Sequence, residues 1–203
     1  MLQNSLARFA PIVLLLSIFA VAGFVGGIGF QPDVTAIREF QEWRIHSPRF
    51  TMVMIALTYL GGVYATFGCG LAASLWLGLR HQWRRAGLLA AVVGGERLIV
   101  DGLKLMLDRA RPAFDAHPVV THSSSFPSGH SANTMAVFLA IALIAVPERW
   151  RRHAVIVAVG ASALIGLTRP YLGVHWPSDV VGGWALGATL AIAASRFARH
   201  EKN

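Results

Sequence analysis

Three short segments carry the residues able to do chemistry. The first runs Lys104-Leu-Met-Leu-Asp-Arg-Ala-Arg111-Pro112, with its outer cations seven positions apart. Seven residues are about two helical turns, so both cations project from one helix face. Pro112 then disfavours helix at the residue before it. In isolation such a basic helix end is usually a solvated or lipid-contacting face. The second segment, Pro127-Ser128-Gly129-His130, opens an apolar run. Ser128 suits an N-cap, and Gly129 lets backbone approach a ligand closely. The first amides of a helix point outward without internal partners, which makes an anion site, although a plain helix start reads the same way. The polar run Thr121 to Ser125 before it reads as a connector. The third segment spans Thr168, Arg169, His175 and Asp179. Pro177 suits a first helical position, so His175 sits just before a helix and Asp179 within its first turn. At four-residue spacing the carboxylate reaches back to one imidazole nitrogen, fixing the tautomer and leaving the other nitrogen free as a nucleophile. The helix N-terminus also disfavours a protonated ring. Alone, the pair is equally a helix cap.

The elements that must position these segments are membrane helices. Of the 203 residues 55% are hydrophobic and only 14% charged, with mean hydropathy +0.54. Soluble domains carry about 25% charged residues, and the deficit here runs along the whole chain. Spanning a bilayer takes about 20 apolar residues. Six stretches qualify as candidates: 9–30, 51–79, 86–107, 129–147, 153–168 and 178–198, the third and fifth being weakest. No internal repeat or long linker divides them, so residues 1–203 read as one all-α domain, an integral membrane bundle of six transmembrane helices. Arg8 followed by an apolar run and Ala20-Val21-Ala22 has the form of a signal peptide, but the run continues to Phe30. A retained helix is expected. Glycines 61, 62, 68 and 70 in the second stretch suit close helix packing, or room for a lipid tail.

Alternation of spans puts all three chemical segments on one side, where the fourth and sixth helices both start. Two positive helix ends then converge with three formal cations, Lys104, Arg111 and Arg169. The two histidines come without an acidic cluster for a divalent metal, and such a site suits a phosphoryl group. Orientation follows the cations. Arg8, Arg80, Arg84, Arg85, Arg149, Arg151, Arg152, Arg196, Arg199 and Lys202 lie on the side of the termini, ten against seven on the other, with Arg97 inside a span. The termini are expected inside, and loops 31–50, 108–128 and 169–177 outside. The net charge of +8 reports this topology and anionic-lipid contact rather than nucleic acid. Trp76, Trp83 and Trp150 at one interface and Trp43 and Trp176 at the other fit aromatic belts, or packing.

K-x6-RP, PSGH and S/T-R-x5-H-x3-D, in this order, resemble the three signature motifs of the type 2 phosphatidic acid phosphatase superfamily. That superfamily includes vanadium-dependent haloperoxidases and glucose-6-phosphatase. Its bacterial phosphatidylglycerophosphate and undecaprenyl pyrophosphate phosphatases are the most similar in length and span layout. Thr168 departs from the commoner Ser but keeps the hydroxyl. The resemblance implies that His175 attacks phosphorus and carries a phosphohistidine while Asp179 orients it. His130 would protonate the departing oxygen and then act as base for water. Lys104, Arg111, Arg169, the Ser128 hydroxyl and the Gly129 amide would hold the phosphate oxygens. The implied protein is a lipid phosphatase of the bacterial inner membrane, facing the periplasm or exterior, with no cofactor, no metal and no nucleic-acid partner. Candidate substrates are undecaprenyl pyrophosphate, phosphatidylglycerophosphate, phosphatidate and diacylglycerol pyrophosphate. Lipid A phosphatase or phosphotransferase activity on the same scaffold is the alternative, and a lipid transporter or inactive scaffold the alternative of another class. A haloperoxidase is disfavoured by so hydrophobic a bundle. No residue pattern reports the oligomeric state.

Other polar residues read as structural. Glu96, Arg97 and Asp101 form an intramembrane network expected to support Lys104, with Arg97 and Asp101 paired at four-residue spacing. Asp108 and Arg109 shape a loop, and His117 and His122 are loop residues. Cys69, the only cysteine, packs between helices. Residues 33–49 form a short interfacial helix with Asp33 as N-cap and Val34, Ile37, Phe40 and Trp43 on one side.

Overall fold

The computed structural model describes residues 2–121 and 123–199. Among the described residues eight α-helices follow one another: α1 (Leu2–Val25), α2 (Gln31–His46), α3 (Pro48–Tyr59), α4 (Val63–Leu79), α5 (Trp83–Leu107), α6 (Gly129–Ala140), α7 (Glu148–Tyr171) and α8 (Pro177–Arg199). No strand occurs among the described residues. A wider π-helical turn, Ile141–Ala145, extends α6. The architecture is all-α, and helix covers most of each of the six apolar stretches.

The second stretch is two helices rather than one. The chain leaves α3 at Leu60 and resumes at Val63, and the pair bends by 42°. Gly62 is extended there (φ −65°, ψ 158°) and starts α4 without a side-chain cap. By length and composition α7 and Pro177–Ala198 of α8 can cross a membrane, and α3 with α4 makes a third such span if taken together. Phe9–Val25 and Gly129–Ala145 are shorter apolar helices. The 25-residue α5 carries Glu96, Arg97, Asp101 and Lys104 in its second half.

α6 is the central element. From Ser131 to Ala140 every residue but Phe138 is buried. α8 lies directly against it because Gly183 and Gly187 present no side chain: a Cβ at Gly183 would meet Ser128 O at 2.6 Å, and one at Gly187 would meet Ala132 O at 2.5 Å. Small residues let helix backbones approach this closely. Leu77, Leu89, Val92, Met135, Leu139 and Ile144 pack at the end remote from the three chemical segments. Outward faces carry large apolar side chains such as Phe24, Leu98, Leu105 and Val157, as suits a bundle in contact with lipid.

α2 starts two residues earlier than expected, at Gln31, with Phe30 as N-cap. Asp33 is therefore in the first turn and caps a different helix: Oδ1 accepts the backbone N–H of Ser178 at 3.0 Å, while Oδ2 accepts the Gly27 N–H at 2.7 Å and the Ser178 hydroxyl. Val34 and Ile37 pack on Trp176 and Phe40 meets Tyr171, whereas Trp43 is exposed. Trp176 is 1% exposed, so it belongs to the core and not to an aromatic belt. Cys69 is exposed on the outside of α4 and does not pack between helices. His117 is a loop residue, its Nε2 paired with Pro112 O at 2.7 Å. His122 and Lys202 lie outside the described residues.

Candidate active site

Helix ends deliver the three segments to one place. α5 stops at Asp108, whose left-handed backbone (φ 34°) turns the chain out. Lys104, in the last turn, is 8% exposed and donates from Nζ to Ser124 O at 2.5 Å, while Ser124 Oγ donates back to Lys104 O at 2.8 Å. Arg111 wraps the same loop from the other side. Its Nε donates to Ser123 O at 2.8 Å, and its Nη1 donates to Val174 O and lies 3.2 Å from His175 Nε2.

α7 ends in a turn that aims His175. Gly173 takes φ 72°, a conformation open to glycine, and the Val174 N–H reaches back to Arg169 O at 3.1 Å. Arg169 is 5% exposed. Its Nη1 donates to Thr58 Oγ1 at 2.6 Å, while its Nε is buried with no hydrogen-bond partner. A buried guanidinium nitrogen without an acceptor is costly, and an anion in the site would supply one.

His175 is 2% exposed, with Nδ1 3.4 Å from both Asp179 Oδ2 and Ser125 Oγ. Asp179 is fully buried. Its Oδ2 also accepts the Trp176 N–H at 2.8 Å and the Ser125 hydroxyl, and its Oδ1 pairs with Arg109 at 2.8 Å. An Nδ1–H facing the carboxylate leaves the Nε2 lone pair toward Arg111, which can only donate. Burial, then the charges of Arg111, Arg169 and Lys104, hold the imidazole well below its ordinary pKa against the opposing hydrogen bond of Ser125. This environment favours the uncharged ring at neutral pH.

Ser128 is the N-cap residue of α6, but its hydroxyl makes no capping bond; it accepts from Ser131 Oγ at 3.1 Å. The α6 amides therefore keep no side-chain partner at this end. The nearest atom to a Cβ at Gly129 would be Val100 Cγ1 at 4.0 Å, so the backbone there is open. His130 follows on the first turn of α6 and leans on the α3–α4 break, where a Cβ at Gly61 would meet its Cδ2 at 3.2 Å. Lys104, Arg111, Arg169 and His175 all act electrostatically on His130.

The expected site residues are thus gathered at one end of the bundle, and no hydrogen bond among the described residues joins Lys104 to Glu96, Arg97 or Asp101. Arg97 and Asp101 do pair, at 2.7 Å, yet both side chains are nearly half exposed, and Lys104 is held by Ser124. Glu96 is buried apart from them against Asn133, whose amide nitrogen, oriented by its partners, donates to both Glu96 oxygens at 2.6 and 2.7 Å and to Gly129 O at 3.2 Å.

Comparison with known proteins gives these motifs a family. The model of the PAP2 superfamily matches residues 85–202. A phosphatidylglycerophosphatase B from Bacillus subtilis is 36% identical over 199 residues, 93% of this chain and 95% of that protein. The chain belongs to the PAP2 superfamily. Its fold is likewise similar to a crystal structure of a transmembrane PAP2 type phosphatidylglycerolphosphate phosphatase from Bacillus subtilis. The TM-score is 0.82 at 30% identity, covering 96% of this chain and 98% of that one. A lipid A 1-phosphatase from Rhizobium johnstonii is 38% identical over 128 residues, 58% of this chain and 50% of its own.

Within this PAP2 chain, four contributors were not singled out from sequence. The sequence pattern puts Ser125 in a connector, Arg109 in a loop, Asp33 at an N-cap and Thr58 in an apolar run. Thr58 carries a weak signal, shared with Thr51, Thr66 and Ser74: a polar side chain in a stretch meant to span lipid needs a partner.

Proposed function

We propose that the protein hydrolyses a lipid phosphate or pyrophosphate through a phosphohistidine on His175. The observation that carries this is the imidazole itself: Nδ1 turned to Asp179, Nε2 3.2 Å from Arg111, and three cations acting on the ring. Nε2 attacks phosphorus, the bond to the lipid oxygen breaks, and His130, protonated once the bound phosphate anion offsets the burial and the cations around it, gives that oxygen its proton. Neutral His130 then takes a proton from water as the water attacks the phosphohistidine, releasing inorganic phosphate and restoring both rings. Lys104, Arg111, Arg169, the Ser128 hydroxyl and the Gly129 amide hold the phosphoryl oxygens, stabilising charge as it develops. No group of three His, Cys, Asp or Glu side chains that could hold a metal occurs among the described residues, and the cations present can stabilise the charge without one.

The apolar exterior and the length and composition of α7 and α8 support a bilayer setting for this chemistry. In this reading six helical spans, counting α3 and α4 as one, put the site on the outer face, in the periplasmic leaflet of a bacterial inner membrane. Phosphatidylglycerophosphate is the first substrate to test, because the relative aligned over nearly the whole chain is named for it. Undecaprenyl pyrophosphate, phosphatidate and diacylglycerol pyrophosphate follow. Lipid A 1-phosphate is the second reading, favoured by the 38% identity to an enzyme so named. Phosphate release from these lipids by the purified protein is the test. His175→Ala should stay folded and release none, and turnover by that variant overturns the mechanism.

A further inference from the structure

Arg109 lies two residues before Arg111 but turns away from the phosphate-binding face. Its Nη1 donates to Asp179 Oδ1 at 2.8 Å and to Ser178 Oγ at 3.2 Å, its Nη2 donates to Ala22 O at 3.0 Å and to Gly23 O, and its guanidinium carbon stacks 4.4 Å from the Phe126 ring centroid. The side chain is only 12% exposed. All its polar partners are thus protein atoms, on α1 and on the first turn of α8. Asp33 completes the frame from α2 by accepting both the N–H and the hydroxyl of Ser178.

These contacts run in an unbroken order: Asp33, Ser178, Arg109, Asp179, His175. The Asp179 carboxylate has no exposed surface, and a buried anion without its cation is strongly unfavourable. Its two oxygens are also divided in use. Oδ1 takes Arg109, while Oδ2 takes Ser125, the Trp176 N–H and the Nδ1 edge of His175. Rotation of the carboxylate would break both sets, so the guanidinium fixes the angle at which Oδ2 meets the imidazole.

We infer that Arg109, itself anchored through Ser178 to Asp33, is a positioning residue that holds Asp179 toward His175. The inference rests on His175 being the nucleophile. A purely structural Arg109 would close α1 on α8 and affect turnover only through folding.

Kinetics on phosphatidylglycerophosphate in detergent micelles separate these. Arg109→Gln should lower kcat about 10- to 100-fold, the loss seen when groups orienting a metal-bound imidazole are removed, with KM within about twofold. Arg109→Lys, which keeps the charge and one bond, should recover part of it. In an Asp179→Asn background Arg109→Gln should change kcat by less than about twofold, because nothing remains to be positioned. Losses that multiply in the double variant overturn the inference. Should Arg109→Gln not elute as a folded species, Asp33→Asn and Arg109→Lys carry the test. Each should lower kcat with KM unchanged, and wild-type kcat in both overturns it. An inactive His175→Ala beside a fully active Arg109→Gln removes the positioning role alone. An active His175→Ala removes the nucleophile and the inference together.

Discussion

Gly61, where the α3–α4 break meets the site, offers a quantitative perturbation. A methyl group there would lie 2.3 Å from Ile165 Cγ2 and 3.2 Å from both His130 Cδ2 and Thr134 Cγ2. Carbon atoms in contact sit about 3.5–4.0 Å apart, so the overlap with Ile165 exceeds roughly 1 Å. Ile165 is 4% exposed and β-branched, hence stiff at χ1; the break between α3 and α4 must move instead. Overpacking of this kind costs about 1–3 kcal/mol. A 1 Å misplacement of a reacting group costs about 100-fold in rate, and His130, which packs against this break, is the proposed acid–base group that its movement would disturb. Gly61→Ala should therefore lower both the unfolding temperature and kcat, the latter by about 10- to 100-fold. Ile165→Ala, which removes the obstructing Cγ2, should restore part of each in the double variant. Gly68→Ala, with nothing within 4 Å of its Cβ, is the control and should leave both unchanged. The assay is phosphate release in micelles alongside thermal unfolding of the purified protein. Wild-type values for Gly61→Ala, or no recovery on adding Ile165→Ala, would refute the reasoning.

Three further outcomes are expected. The folded protein binds a proton at His175 only well below the ordinary range, whereas the unfolded chain binds it at about pH 6.5. Stability should fall as pH drops below that point, by at most about 1.4 kcal/mol per pH unit; His175→Gln should flatten the fall, and an unchanged slope contradicts the burial argument. Turnover should survive EDTA and be inhibited by vanadate, which mimics five-coordinate phosphorus; a strict divalent-ion requirement in the chemical step would be the opposite result. In a Cys69→Ala background, an impermeant thiol reagent on intact cells should label a cysteine at Val120, 80% exposed, and spare one at the exposed Arg149. Reversed labelling would put the site on the cytoplasmic side.

The parts of the site legible in sequence are those fixed by local chain geometry. Ser128 and Pro177 mark helix starts, so the placing of His130, His175 and Asp179 follows from spacing alone. The stop of α5 does not follow from Pro112, because the helix ends at Leu107 with Asp108 left-handed, and Arg111 lies beyond it rather than on one helix face with Lys104. The pairs that were missed join residues far apart in sequence: Arg109 with Asp179, Thr58 with Arg169, Asp33 with Ser178. Only packing of α1, α2 and α3 around α7 and α8 brings those together, and no periodicity reports it. Lipid also removes a contrast that soluble chains provide. Apolar residues suit the inside and the outside of such a bundle equally, so sequence alone does not tell the packed position expected for Cys69 from the outward one it occupies. The same uniformity hid the bend between α3 and α4, for which Gly61-Gly62 was the one local sign.

The central claim is the covalent step on His175. Rapid quenching of the enzyme with lipid substrate labelled in its terminal phosphate should trap a labelled protein whose bond survives alkali and is lost in acid. The label should be absent from His175→Asn and should persist longer in His130→Ala, where the base for water is gone. Label retained in His175→Asn, or none in a wild-type enzyme that turns over, would contradict the phosphohistidine.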